Sequence, residues 1–201
     1  MAKTKEINLG EDFGAVTITV NGKRIEIGAN GEIAGIGPVN GNAMTAISAA
    51  KTAYEVGELT KEGIYIGRLK SKDGTERDYF AAPTDAQDSN GKRLSLNFNA
   101  AAEYAKNATV LGHNDWTVPS GWEDRDGAPD VLNEMFNNKS KGAFKGTFDE
   151  TGSHPSGWYW SSSPNYFTAY AARTQRFSDG FQVDVSKSGG LSVRLVRSLA
   201  I

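Results

Sequence analysis

A chain of 201 residues with 38% hydrophobic and 23% charged residues is long enough for one sizeable folded domain and a small appendage. Its formal net charge of −2 supplies no basic field for nucleic acid or an anionic membrane. The absence of cysteine excludes disulfides, thiolate metal sites and cysteine-nucleophile chemistry, and no apolar run reaches membrane-spanning length.

Residues 15–39 read as a small β-meander. Val16, Ile18 and Val20 alternate with Thr17 and Thr19, Asn21-Gly22 is a two-residue hairpin signal, Arg24–Ile27 resumes the alternation, and Asn30-Gly31 turns again before Glu32-Ile33-Ala34. This segment has too little apolar material for a core of its own and needs another surface, either the main domain or copies of itself. Asn42–Val56 is Ala-rich, with Met44, Ile47, Ala50 and Tyr54 near helical spacing, which predicts a connector helix ended near Gly57. Ile64, Ile66 and Arg68 open a strand that Asp73-Gly74 turns and Tyr79-Phe80 returns. Asn97–Asn107 reads as a helix capped by Asn97, with Phe98, Ala101, Ala102 and Ala105 on one face. Pro129 opens a second helix through Phe136, which buries Leu132, Met135 and Phe136.

From Trp158 onward the pattern is β. Trp158 and Trp160 share one side of a strand with Tyr159 on the other, and Leu191, Val193 and Leu195 alternate with Ser192, Arg194 and Val196, which predicts one buried face. The fold class is α+β, divided into a β-hairpin and helix module over 1–56 and a larger domain over 57–201.

Within Trp158–Arg197 two kinds of position interleave. Trp158, Trp160, Ser161, Ser162, Gln175, Arg176, Phe177, Ser178, Asp179, Gly180, Gln182, Lys187, Leu191, Val193, Arg194, Val196 and Arg197 read as a frame. Between them lies a chemically mixed set: Phe167, Thr168, Ala172, Arg173, Thr174, Phe181, Val183, Asp184, Val185, Ser186, Ser188 and Gly189. The frame segments YWSSS, QRFSDG and LSVRLVR, together with Gly112-His113-Asn114-Asp115-Trp116-Thr117-Val118-Pro119 upstream, resemble the DUF1566 (Lcl-type) domains over roughly Gly63 to Arg197. Thr117 and Ser120 depart from that family's usual Arg and Thr.

The resemblance implies a C-type-lectin-like fold for the larger domain. Some relatives of this kind are target proteins of diversity-generating retroelements, in which template adenines are randomised and the resulting codons cannot encode Met, Trp, Gln, Lys or Glu. None of these five occurs in the mixed set. The implied function is a non-catalytic ligand- or receptor-binding protein with a variable C-terminal surface, carried by a phage. The expected ligand-binding residues are Phe167, Thr168, Tyr170, Ala172, Arg173, Thr174, Phe181, Val183, Asp184, Val185, Ser186, Ser188 and Gly189. The expected partner is a protein or glycan on a cell surface, with no nucleic acid, no membrane insertion, no metal and no cofactor. The opening MAKTKEINLGEDFG has no apolar segment of the kind a secretory signal needs, so the expected setting is a virion, a phage tail or the cytoplasm. A homo-oligomer, in trimeric form, is expected through residues 1–56.

Two other readings stand beside this one. Glu123, Asp124, Asp126 and Asp130 form the densest acidic cluster and could supply an acid and a base to a glycan-directed hydrolase, although a solvated loop before a helix accounts for them as well. The cluster lacks the spacing of an EF-hand. The third reading is a virion or tail structural protein. Phe181, Val183 and Val185 alternate with Gln182, Asp184 and Ser186, so they fit either the inner face of an amphipathic strand or an exposed patch beside Phe167, Tyr170 and Arg173.

Overall fold

The computed structural model describes the backbone of 16–20, 23–27 and 33–38, and residues 54–201 apart from Glu123, Gly152 and Ser153. The chain divides into two compact units, Met1–Ala53 and Tyr54–Ile201. In the first, β1 (Val16–Val20), β2 (Lys23–Ile27) and β3 (Ile33–Pro38) form an antiparallel meander in the order β1-β2-β3. Val16 lies opposite Ile27 and Ile18 opposite Ile25, the register that the Val/Ile alternation predicts. Asn21-Gly22, Asn30-Gly31 and the connector helix up to Ala53 fall outside the described residues. Its last expected turn does not form: Tyr54 and Glu55 are irregular, and Val56 leads into a turn at Gly57, whose φ is +87°.

The second unit is mixed α+β and mostly antiparallel β. Its elements are β4 (Leu59–Thr60), β5 (Gly63–Lys70), β6 (Glu76–Ala81), α1 (Phe98–Asn107), α2 (Val131–Asn138), β7 (Trp158–Pro164), β8 (Ala171–Arg176), β9 (Gln182–Ser186) and β10 (Val196–Ala200). One sheet runs β10-β6-β5-β4 and the other β7-β8-β9. The Asn97 side chain caps α1 by accepting from the Ala100 N–H at 2.9 Å. Ala101 and Ala105 are buried, but Ala102 is exposed, because consecutive helical residues point about 100° apart. Asp130 rather than Pro129 begins α2: its carboxylate accepts from the Asn133 N–H at 3.0 Å, and Pro129 lies outside the cap. Val131, Leu132 and Met135 are buried, while Phe136 is only partly so.

β7 lies between two apolar clusters. Trp158 and Trp160 pack with Ala172, Leu191, Val193, Leu195, Trp116 and the buried alanines of α1. Tyr159 faces the opposite way, into Ile64, Ile66, Leu132, Met135, Phe144 and Phe177. Leu191–Arg197 is buried on both faces rather than one. Arg194 is fully buried because its guanidinium is satisfied: it donates to Asp85 Oδ1 at 2.7 Å, Ala82 O at 3.0 Å and Thr147 O at 2.8 Å, and it lies 4.2 Å over the Phe148 ring. Asp85 also accepts from Tyr159 Oη at 2.7 Å and pairs with Arg93 at 2.6 Å.

The Gly112–Pro119 segment ties the helical side of the unit to β10. Leu111 (φ +52°) and Gly112 (φ +79°) make a tight turn, over which Trp116 Nε1 donates to Val110 O and His113 O. Thr117 and Val196 exchange backbone hydrogen bonds of 2.8 and 2.9 Å. Arg197 grips Asp115 with two nitrogens, at 2.8 and 3.0 Å, and bonds Glu62 as well. The Arg197 hydrogen bond holds the Asp115 carboxyl below the usual carboxylate range.

Candidate recognition surface

The surface is built on the β7–β8 loop and the β8–β9 hairpin. Asn165 follows the last residue of β7, and its Oδ1 accepts from Phe167 N at 2.7 Å and Thr168 N at 3.1 Å, a side-chain-closed turn. Tyr170 N then donates to Thr168 Oγ1 at 3.2 Å. These bonds fix a loop whose two large rings point outward: Phe167 is 86% and Tyr170 83% exposed. Asn165 is itself held from below, because its Nδ2 donates to Asp184 Oδ2 at 2.6 Å. Asp184 pairs at 3.3 Å with Arg173, whose guanidinium lies 3.7 Å over the Trp122 ring.

The β8–β9 turn is locked by frame residues. Asp179 accepts from Arg176 Nε at 2.8 Å and from Phe181 N at 3.1 Å. Gly180 has φ +82°, and a Cβ there would stand 2.5 Å from the Phe136 ring, so only glycine fits. Phe181 is 53% exposed and packs edge-on against Trp158, with centroids 6.1 Å apart.

Register separates the two faces of the hairpin. Thr174 faces Val183 and Ala172 faces Val185 across the ladder, on the side of the Trp158–Trp160 cluster. Val183 and Val185 are half-buried against that cluster, between the two outcomes the alternation allowed. On the other side Arg173 faces Asp184, Gln182 donates to Asp130 Oδ2 at 2.9 Å, and Gln175 donates to Asn133 Oδ1 at 2.8 Å.

The expected site residues therefore fall into three groups. Phe167, Tyr170, Phe181, Ser186 and Ser188 are exposed, and Thr168, Val183, Asp184, Val185 and Gly189 are half-buried. Ala172, Arg173 and Thr174 are buried, Arg173 to 3% exposure, which corrects the expectation that Arg173 stands in an exposed patch. The reason is topological: β8 is the middle strand of its sheet, covered on both faces. Nor do the exposed rings form one cluster. Tyr170 adjoins the start of β8 and Phe181 its end, so the six-residue strand separates them by roughly 17 Å. The surface is a strip with an aromatic group at each end.

Three contributors lie outside the expected set. Arg125 lies 4.4 Å over the Tyr166 ring and 5.4 Å from that of Phe167, and its N–H donates to Tyr166 Oη at 3.1 Å. Asn165, in the Ser163-Pro164-Asn165 run, carries a readable turn signal. Arg125 and Tyr166 meet across 41 positions and leave no local signature.

The acidic cluster has structural work. Asp124 is buried and accepts from Ser163 Oγ and from the Asp126 N–H at 2.9 Å. Asp130 caps α2 and bonds Gln182, and burial raises its pKa. Asp126 is exposed, and Glu123 lies outside the described residues. Among the described residues no group of three or more His, Asp or Glu is placed to hold a metal ion. No described helix is long and apolar enough to cross a membrane. A shallow groove lies against the 114–118 segment, lined also by Ala105, Lys106 and Ser198, and includes none of the mixed set. Comparison with protein-family models and with curated proteins gives no match for this chain.

Proposed function

We propose that the chain is a non-catalytic binding protein that presents the strip from Phe167 to Phe181 to a protein or glycan on a cell surface. The observation that carries this reading is the loop 165–170, where two large rings are held in water by a hydrogen-bonded turn. Exposed aromatic groups on a fixed support mark interaction sites, because such rings contribute much interface energy at little entropic cost.

The scaffold on this reading is C-type-lectin-like, with the DUF1566 motifs as its frame. The bonding of those motifs supports the division into frame and display: Trp116, Asp115, Gln175, Asp179 and Arg197 all bond within the fold. Most of the mixed set reaches the surface, as retroelement diversification requires, whereas Ala172, Arg173 and Thr174 would tolerate fewer side chains. A near-copy of the codons for residues 160–197, differing at adenines and lying beside a reverse transcriptase gene, would establish diversification.

The binding test is an array of immobilised cell-surface proteins and glycans. Retention of the full chain should be lost in a Phe167→Ala/Tyr170→Ala/Phe181→Ala variant that circular dichroism shows to be folded. Undiminished retention of that variant would sink the proposal. Turnover in a glycan-hydrolysis screen, abolished by Asp126→Asn, would favour the hydrolase instead.

A further inference from the structure

We propose that Arg125 is a carboxylate-reading anchor of this surface, and that the partner is a protein presenting an Asp or Glu beside an apolar pocket. The proposal rests on the binding reading above and names the chemistry of its partner.

The first ground is the bonding state of the arginines. Among the described residues Arg68, Arg93, Arg173, Arg176, Arg194 and Arg197 each pair with a carboxylate, and Arg77 donates to Ser198. Arg125 is exposed, and its guanidinium meets no carboxylate and no hydrogen-bond acceptor among those residues. Among the described residues its guanidinium lies over the rings of Tyr166 and Phe167. A guanidinium lying on an aromatic face keeps its N–H edge free, and that edge matches a carboxylate with two parallel bonds.

The second ground is preorganisation. The Arg125 backbone is tied to Tyr166 Oη at 3.1 Å, and Tyr166 and Phe167 lie on the loop that Asn165 closes. The cation is thus held from the segment before α2 beside the supported loop that carries Phe167 and Tyr170, with part of the ordering cost met before binding.

The third ground is shape. Phe167 and Tyr170, at 86% and 83% exposure, protrude from the surface. Small ligands are held in concave sites that bury most of their surface. A protruding pair of rings needs a partner that supplies the concavity, and a folded protein does so. Charge complementarity then places the partner's carboxylate at the edge of that pocket.

Arg125 also lies outside the segment 158–197 that carries the mixed set. Its charge would persist while position 167 changes, so partners would share an acidic group and differ in the pocket next to it.

The test uses the full chain with immobilised cyclic peptides folded so that Glu rims a cleft lined by Leu and Trp, and matched cyclic peptides with Gln in its place. Sialylated and neutral oligosaccharides form the remaining arms. We expect Glu peptides to be retained about tenfold more strongly than their Gln counterparts, the worth of a hydrogen bond between charged groups. Arg125→Gln should bring the two to the same level, and Arg125→Lys should restore part of the difference. Circular dichroism melts of both variants establish that they are folded. Equal retention of Glu and Gln peptides by the native chain, or an Arg125→Gln variant that still discriminates, would overturn the inference. Retention confined to sialylated oligosaccharides would overturn the protein partner. Discrimination insensitive to Arg125 but lost in Phe167→Ala/Tyr170→Ala would leave the binding reading standing, whereas no retention of any probe would overturn both.

Discussion

Phe167 and Trp160 show how differently two aromatic side chains are used in one segment. Trp160 is fully buried, lies edge-on to Phe98 with centroids 5.6 Å apart, and donates from Nε1 to Leu96 O at 2.7 Å. Replacing it with alanine removes a large buried surface and leaves a cavity, so Trp160→Ala should cost about 3–5 kcal/mol. Phe167→Ala and Tyr170→Ala touch little and should each stay within about 0.5 kcal/mol. Urea denaturation of the three variants checks the contrast. Asn165 is a subtler case, since its side chain both closes the loop and hangs it from Asp184. Asn165→Ala should reduce stability by about 1 kcal/mol, the worth of a typical hydrogen-bonded turn residue. The sharper readout is chymotrypsin, which cleaves after aromatic residues and should nick the freed loop at Phe167 or Tyr170 faster than in the native chain.

At the scale of elements, two charged links hold segments together that the chain order keeps far apart. Asp115 and Arg197 join the turn after α1 to β10. Because the hydrogen bond to Arg197 depresses the Asp115 pKa in the folded state, the link contributes stability above the ordinary carboxylate value and loses it as pH falls through the lower folded value. Asp115→Asn should therefore lower the melting temperature at pH 7, and the gap to the native chain should shrink at pH 3. Asp85 is the buried counterpart, shared by Arg93, Arg194 and Tyr159. Asp85→Ala would strand the fully buried Arg194 and should cost about 3–5 kcal/mol. These links also explain what could be read in advance. The strands β5 and β6 and the turn at Gly74 follow from local alternation, and α1 from its Asn97 cap. The burial of Arg194 and Arg173 could not be read in this way. An arginine in an alternating strand reads as solvent-facing until its partner, here Asp85 at a separation of 109 positions, is known. The candidate surface was legible only in part: the exposed rings of Phe167, Tyr170 and Phe181 lie in the segment the pattern singled out, but Arg125 meets Tyr166 and Phe167 only through the fold.

At the scale of the molecule, the meander β1-β2-β3 brings only a few Val and Ile side chains, and we expect it to need a partner surface. Weak recognition surfaces gain roughly 10²–10⁴ in avidity when copies act together. We therefore predict a homo-oligomer, in trimeric form, joined through residues 1–56. Light scattering on the full chain and on a chain beginning at Tyr54 tests this. Tyr54 is kept because its ring lies 5.2 Å from that of Tyr65 and 5.3 Å from that of Phe80. A monomeric full chain would refute the proposal, and an oligomer that survives the truncation would place the interface elsewhere. The position of β7 has a different consequence. Because Trp158 and Trp160 enter one cluster and Tyr159 the other, neither half of the interior can open without exposing the other. Such a strand couples the two into one cooperative unit, so the amides of Trp158–Trp160 should exchange with deuterium only through global unfolding, while those of 165–170 exchange earlier. The loop 165–170 can then breathe on a support that yields all at once or not at all, and a change of side chain at its tip would alter the surface long before it threatened the fold.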